Sequence, residues 1–271
     1  MEQPGASAGE QVDRTPQTIR RAVGLLDLLG TVPRGMALRQ LGESLGLTKS
    51  TTHRILSGLV AGGLVESSPD TRRYRLGLKV VELSAVLLDS MDVREQGRAL
   101  MQQLGDLSRE TIHMGVLDRF EVVFIGHIES PESVRMSLRV GHRAPAHCSS
   151  LGKVLLADLD DAELRRFLRG RELPAYTPNT ITDPQKLLAV MEEVRTLGYA
   201  WDDEENRLGI RCLGAPVRDH AGKAIAAISV SGPAFRFTRQ RAEQFIGPLL
   251  AAAGGVSERM GWRGTRRQEA L

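Results

Sequence analysis

ALRQLGESLGLTKSTTHRILSGLVAGG, residues 37–63, is the stretch that decides how this chain folds. Two short apolar-periodic segments lie on either side of Gly46. The first puts Leu38, Leu41 and Leu45 on one helical face, and the second puts Thr52, Ile55, Leu56, Leu59 and Val60 on another. Thr48 stands where the second helix needs an N-cap, so the pattern predicts a helix-turn-helix.

Upstream, residues 1–14 are polar, rich in small residues and without periodicity, the composition of a disordered arm. Thr15 and Pro16 signal an N-cap and first turn. They open a helix that is expected to turn Ile19, Val23, Leu26 and Leu29 inward and to end near Gly30. Downstream of Gly63, the runs 64–66 and 73–76 read as two short strands joined by the turn 67–71. The order helix, helix, helix, hairpin over 15–77 is that of a winged helix-turn-helix. Residues 78–91 then read as a linker helix with Val80, Leu83, Leu87 and Leu88 available to pack.

From residue 92 the pattern changes to an α+β domain running to 262, followed by a flexible tail at 263–271. Asp92 and Glu95 form a capping box for a helix to about residue 110. Strands are expected at 111–116, 121–128, 134–140, 199–201, 208–218 and 223–231, and helices at 148–159 and 160–169. Asp183-Pro184 starts another helix that ends at Gly198, and Thr238 caps a final long one to about residue 262.

At 41% hydrophobic and 25% charged residues, the chain is of ordinary globular composition. No apolar run reaches about 18 residues, so no membrane span is expected, and the N-terminus lacks the signature of a signal peptide. Two cysteines make no disulfide framework, which fits a cytoplasmic protein. The charge is uneven. Residues 14–79 carry eleven Lys/Arg against four acids, whereas residues 80–271 carry 25 against 26. A basic module on a neutral remainder indicates a nucleic-acid-binding end and a second end with another task.

On the second helix of the motif, rotation by 100° per residue places Ser50, Thr51, Arg54 and Ser57 opposite the apolar stripe, with Lys49 and His53 on the flanks. Small hydroxyl and basic groups near a helix N-terminus suit entry into a DNA groove: amides and hydroxyls bind phosphate, and Arg54 can reach guanine or phosphate. Arg72, Arg73 and Arg75 on the hairpin would lie along the backbone or minor groove, while Tyr74 and Leu76 alternate inward. In the second module, Cys148-Ser149-Ser150-Leu151-Gly152-Lys153 is a small-residue loop opening a helix whose unpaired amides favour an anion. Asp202 and Cys212 flank a polar loop, and Ser229 and Ser231 face the same way on a strand. Such donors in an apolar domain suit a small carboxylate-bearing ligand, although each residue also has a plain structural role open to it, Cys212 as a small buried hydrophobe above all.

Residues 18–83, including LGLTKSTTHRILSGLVAGGLVE and RYRLGLKVVEL, resemble the DNA-binding domain of isocitrate lyase regulator (IclR) family transcription factors. The resemblance continues in HCSSLGKVLLA (147–157), DDEENRLGIRCLGAPV (202–217) and AISVSGP (227–233). It implies a GAF-like α/β effector-binding domain in which the amides of Ser150 and Leu151 hold a ligand carboxylate. Asp202, Cys212, Ser229 and Ser231 would add polar contacts, with Met136 and Ile210 as apolar walls. Leu151 departs from the small residue usual before Gly-Lys in the family. The partners so implied are double-stranded operator DNA, a small organic acid effector and a second copy of the chain, as a homodimer or dimer of dimers. No cofactor, metal or membrane is expected. Two other readings compete: an enzyme built on His147, Cys148 and Asp202, for which no nucleophile motif has the right spacing, and a constitutive DNA-binding protein whose second domain serves assembly alone.

Overall fold

The computed structural model describes residues 16–68, 71–89, 92–136 and 138–264. The expected arm at 1–14, Thr15, the middle of the hairpin turn and all but the start of the tail lie outside these, as do the side chains of Leu87, Leu88 and Asp92. The chain forms two compact units, residues 1–90 and 91–271.

The first unit opens with α1 (Gln17–Thr31), where Pro16 holds the N-cap position and its carbonyl accepts from the Ile19 and Arg20 amides. Leu25 and Leu29 are its buried residues, with Ala22, Leu26 and Leu28 packed beside them. Ile19 and Val23, expected inward, are instead exposed. The stripe is centred on 22, 25 and 29, which leaves those two about a quarter to a third of a turn away. A short strand that periodicity does not reveal, β1 (Met36–Ala37), precedes α2 (Leu38–Ser44). The Gln40 carboxamide accepts from the Ala37 amide at 3.1 Å. α3 (Lys49–Ala61) follows, with the Thr48 hydroxyl accepting from the Thr51 amide. Leu41, Ile55 and Leu56 meet Leu25 and Leu29 in one core, with Leu38, Leu45 and Leu59 at its margin. Full burial of each such side chain is worth about 1.5–3 kcal/mol. Val60 sits at the edge of the stripe and is exposed, contrary to expectation. β2 (Val65–Ser67) and β3 (Arg73–Leu76) complete an antiparallel sheet in the order β1-β3-β2, pairing Met36 with Tyr74 and Glu66 with Arg75. α4 (Lys79–Asp89) ends the unit. Leu83 does not pack as expected: Leu78, Val81, Leu83 and Val86 are all exposed.

The second unit begins with α5 (Asp92–Ser108), then β4 (Thr111–Asp118), β5 (Glu121–Ile128) and β6 (Arg143–Pro145). The strand expected at 134–140 is not formed among the described residues, since 134–136 and 138–140 are irregular, and the edge strand comes later, at β6. Next come α6 (Ser150–Ala157), α7 (Asp161–Leu168, capped by Asp160) and α8 (Pro184–Leu197, capped by Asp183 and closed by Gly198 at φ 76°). β7 (Ala200–Asp203), β8 (Ile210–Arg218) and β9 (Ala224–Pro233) follow. The single helix expected after Thr238 is two, α9 (Arg239–Glu243) and α10 (Ile246–Arg259). Pro248 accounts for the break, since it has no amide to bond residue 244 and its ring clashes there.

The six strands form one antiparallel sheet in the order β6-β5-β4-β9-β8-β7. On one face, Ile112, Met114, Leu213, Ile228 and Val230 pack against α5 and α10. On the other, Val122, Phe124 and Ala227 pack against α6, α7 and α8, and every residue of α6 is buried. This α/β/α stack matches the expected α+β class.

Candidate functional site

Two helix N-termini carry the chemistry. On α3, Lys49, Ser50, His53, Arg54 and Ser57 are exposed and Thr51 is half-buried. The Thr48 hydroxyl also reaches the Thr51 hydroxyl at 3.0 Å and lies 3.2 Å from that of Ser50, so the first turn is pre-set. Ser57 donates to the His53 carbonyl at 2.9 Å, which leaves its oxygen lone pairs outward. The hairpin arginines are less free than their spacing implies. Arg75 forks onto Glu66 Oε2 at 2.9 and 3.1 Å, and Arg73 donates to the Gly35 carbonyl at 2.8 Å. Arg72 is exposed in the left-handed region, φ 50°. Lys49, Arg54 and Arg72 are therefore the cations this unit presents outward from the expected set.

On the α6 side, strand register builds the site. Paired residues of antiparallel strands point to the same face. One row across four strands is Asp202, Cys212, Ser231 and Thr111, and the next is Ala200, Gly214, Ser229 and His113. The Ser229 and Ser231 hydroxyls lie 3.4 Å apart, which confirms the shared face. The first turn of α6 rests on the gap in the second row. A Cβ at Gly214 would lie 2.7 Å from the Ser150 carbonyl carbon and 3.0 Å from the Leu151 nitrogen. Gly152 is held as closely against Ala146, whose carbonyl oxygen a Cβ would meet at 2.2 Å. Glycine at both positions lets helix backbone sit directly on strand and loop. The Ser149 hydroxyl caps Gly152 at 3.2 Å, and the Ser150 and Leu151 amides precede the helical ladder.

Around this point Asp202 is 3% exposed, and its Oδ1 accepts from the Glu205 and Asn206 amides at 2.9 and 3.2 Å. Burial pushes its carboxyl up to about 7 against the opposing pull of Lys153. Lys153 is itself buried and ion-paired with Glu205 Oε1. The Cys212 thiol lies between Asp202 and Ser231 and is raised well above its usual value by burial. Met136 is half-buried, and its carbonyl accepts from the Thr111 hydroxyl at 3.1 Å, which ties the backbone at 136 to the end of the first row. Ile210 is half-buried at the end of β8. The side chain of Leu151 runs down toward β4, its Cδ1 3.3 Å from where a Gly115 Cβ would stand. The bulk that sets this chain apart thus lies in the notch that Gly115 leaves open.

The structure brings Met136, Ser150, Leu151, Asp202, Ile210, Cys212, Ser229 and Ser231 to one sheet face. Thr111 and His113 share that face, and sequence reasoning missed them. Only the register opposite Ser231 and Ser229 identifies them, because alone they read as ordinary strand residues. Among the described residues, three buried side-chain atoms have no hydrogen-bond partner: His113 Nε2, His147 Nδ1 and Glu205 Oε2. All three belong to α6's surroundings: His113 to the second row, His147 to the loop entering the helix, Glu205 to the Lys153 pair. Buried orphaned polar atoms are uncommon in folded proteins, and that of His113 lies in the second row itself.

A Cys-His nucleophile is not assembled. Burial, then the Asp202 charge, push the Cys148 thiol up to about 12, so it stays protonated and unreactive. His147 Nε2 is engaged with the Pro174 carbonyl at 3.1 Å. No group of three or more His, Cys, Asp or Glu that could hold a metal ion occurs among the described residues. Nor is any described helix long and apolar enough to cross a membrane.

Residues 18–69 match the model of the IclR helix-turn-helix domain, and residues 85–258 match that of the bacterial transcriptional regulator IclR C-terminal domain. The HTH-type transcriptional regulator KdgR of Escherichia coli is 35% identical over 258 residues, 94% of this chain and 98% of that protein. The transcriptional repressor IclR of the same organism is 32% identical over 243 residues, 89% of each. Among solved structures, Thermotoga maritima IclR matches at 31% identity with a TM-score of 0.74, covering 90% of this chain and 99% of that one. An IclR homolog of Microbacterium hydrocarbonoxydans, complexed with 4-hydroxybenzoate, matches at 27% identity and TM-score 0.79, covering 90% and 99%. With both domains matched in order, and these relatives named as transcriptional regulators, this chain belongs to the IclR family of DNA-binding transcriptional regulators.

Proposed function

We propose that this regulator is a repressor whose hold on a double-stranded operator is set by a small organic acid bound at the α6 N-terminus. The observation that carries the reading is the seating of the Ser150 and Leu151 amides on Gly214, directly beside the polar rows of the sheet. Two amides at the positive end of a buried helix suit a carboxylate. Lys153 is matched by Glu205, and burial pushes the Asp202 carboxyl up toward its neutral form, which lowers the repulsion a ligand anion meets. Asp202, Cys212, Ser229 and Ser231 supply the remaining polar contacts, and Met136, Ile210 and Leu151 the apolar ones. The acid complexed with the Microbacterium homolog supports a ligand of this class. A domain serving assembly alone would have no use for orphaned polar atoms at its centre.

On the DNA side, Arg54 and Lys49 make the principal contacts with Ser50, Thr51, His53 and Ser57. Arg72 leads the hairpin, with Arg73 and Arg75 behind it. One recognition helix reads few bases, so a homodimer that doubles the readout follows. The exposed Val81, Leu83 and Val86 of α4, with Leu78 just before it, support such pairing, and the family resemblance extends it to a dimer of dimers. The acid acts by preferring one arrangement of the paired heads over another.

Fluorescence anisotropy on operator DNA, with a panel of aromatic and short-chain acids first screened by thermal shift, tests the reading. Arg54→Ala should weaken operator binding by about 1–3 kcal/mol. Asp202→Ala should blunt the response to acid and spare DNA binding. An unaltered dose response in Asp202→Ala removes the site from the α6 N-terminus.

A further inference from the structure

His113 is the polar residue of this sheet face that neither the sequence motifs nor the helix capping account for. It is 1% exposed, and its Nε2 has no partner. It stands opposite Ser229 on β9, two strands from Gly214 along the same row, on the face that α6 covers. The Phe124 ring closes its other side, edge to face at 5.0 Å. Strand spacing of about 4.8 Å puts its backbone about 10 Å from that of Gly214, with Ser229 between them.

Resting on the reading of the α6 N-terminus as a carboxylate site, we infer that His113 Nε2 is the specificity contact at the far end of that site, reserved for a hydroxyl on the acid. A ligand lying over Ser229 with its carboxylate on the Ser150 and Leu151 amides points its distal end at His113. Burial holds the imidazole down to about 3, so it is neutral, with one N–H and one lone pair. A hydroxyl both donates and accepts, and so satisfies Nε2 whichever tautomer is present. A ligand without it leaves a buried polar atom unpaired, and sites of that kind reject the bare analogue strongly. The regulator is thereby tuned to hydroxy acids over the parent acids.

Isothermal titration of the full-length protein with matched pairs tests this: 4-hydroxybenzoate and 3-hydroxybenzoate against benzoate, and 4-hydroxybutyrate against butyrate. In at least one pair the hydroxy acid should bind at least tenfold more tightly in the native protein. His113→Leu should bring that ratio to within about twofold by weakening the hydroxy acid alone, and His113→Gln should restore part of it. Equal binding of both members by the native protein, or a preference that survives His113→Leu, overturns the inference. The native ratio decides by itself should His113→Leu fail to fold by circular dichroism. Ser150→Pro separates this from the reading beneath it. Position 150 is the first of the helix, where proline is tolerated, and Ser149 is already extended at φ −106° and ψ 146°. The substitution deletes one amide and should weaken hydroxy and parent acids alike by at least tenfold. Unchanged binding of both in Ser150→Pro, or no binding of any acid by the native protein, overturns the carboxylate site itself.

Discussion

α3 and α6 begin with the same chemistry and end in opposite circumstances. Thr48 caps one and Ser149 the other, each hydroxyl accepting from the amide three residues on, at 3.3 and 3.2 Å. Each helix therefore offers two unpaired amides and a positive dipole end. Lys49 opens α3 exposed, whereas the Lys153 side chain, in the first turn of α6, is 3% exposed and locked to Glu205. An open helix end can meet a long polyanion that brings counterions to release. A closed one admits only what fits, and its own charges must be balanced before anything arrives. On the proposed function, burial, more than residue type, thus assigns the two ends their different partners.

The contrast can be broken most severely at the two lysines. Lys153→Met strands the Glu205 carboxylate in the interior and should cost about 3–5 kcal/mol in urea unfolding. Lys49→Met should shift stability by less than about 0.5 kcal/mol, while lowering the salt slope of operator binding by about 1. Similar melts for the two variants would dissolve the distinction. Next come the glycines. Gly152→Ala drives a Cβ to 2.2 Å from the Ala146 oxygen, with backbone on both sides, and should destabilise by on the order of 3 kcal/mol. Gly58→Ala in α3 meets nothing within 4 Å and should stabilise by about 0.5–1 kcal/mol. The smallest effect sharpens the comparison through pH. Asp202 titrates near 3.8 when unfolded and at about 7 when folded, so between these values the folded state keeps a proton that the unfolded state has lost. Stability must then fall as pH rises from about 4 to about 7 and level off above. Relative to Asp202→Asn, the native protein should lose about 1 kcal/mol between pH 6 and pH 7. Parallel profiles for the two would show that Asp202 is not buried as described.

What the sequence displays most clearly is punctuation. Thr48, Asp183 and Thr238 each cap a helix where their spacing predicts it, because a cap is a local bargain between one side chain and the next turn. Faces are harder to read. Ile19 and Val23 fit a helical period as well as Ala22, Leu25 and Leu29 do, and only packing against α3 chooses between them. Residues 134–140 are apolar in alternation, yet the described ones among them make no ladder, since the edge of β5 is taken by residues 143–145. Arg73 and Arg75 read as free cations until the sheet brings Gly35 and Glu66 to them. For the α6 site, motif-bearing residues are visible in the sequence, but Thr111 and His113 are not, because cross-strand neighbours 120 and 116 residues apart leave no trace in periodicity.

Leu151 and Gly115 form a complementary pair, one side chain filling the absence of another. The consequence concerns how such a regulator could change its inducer. A side chain added at 115 would meet both Leu151 and Val122 and would press the leucine back toward the polar rows, while a smaller residue at 151 would empty that corner. If the proposed site holds the ligand, its size can thus be retuned from beneath the floor, without altering any group assigned a polar contact. Anyone building a sensor from this scaffold should vary 115 and 151 together, since neither position is independent of the other.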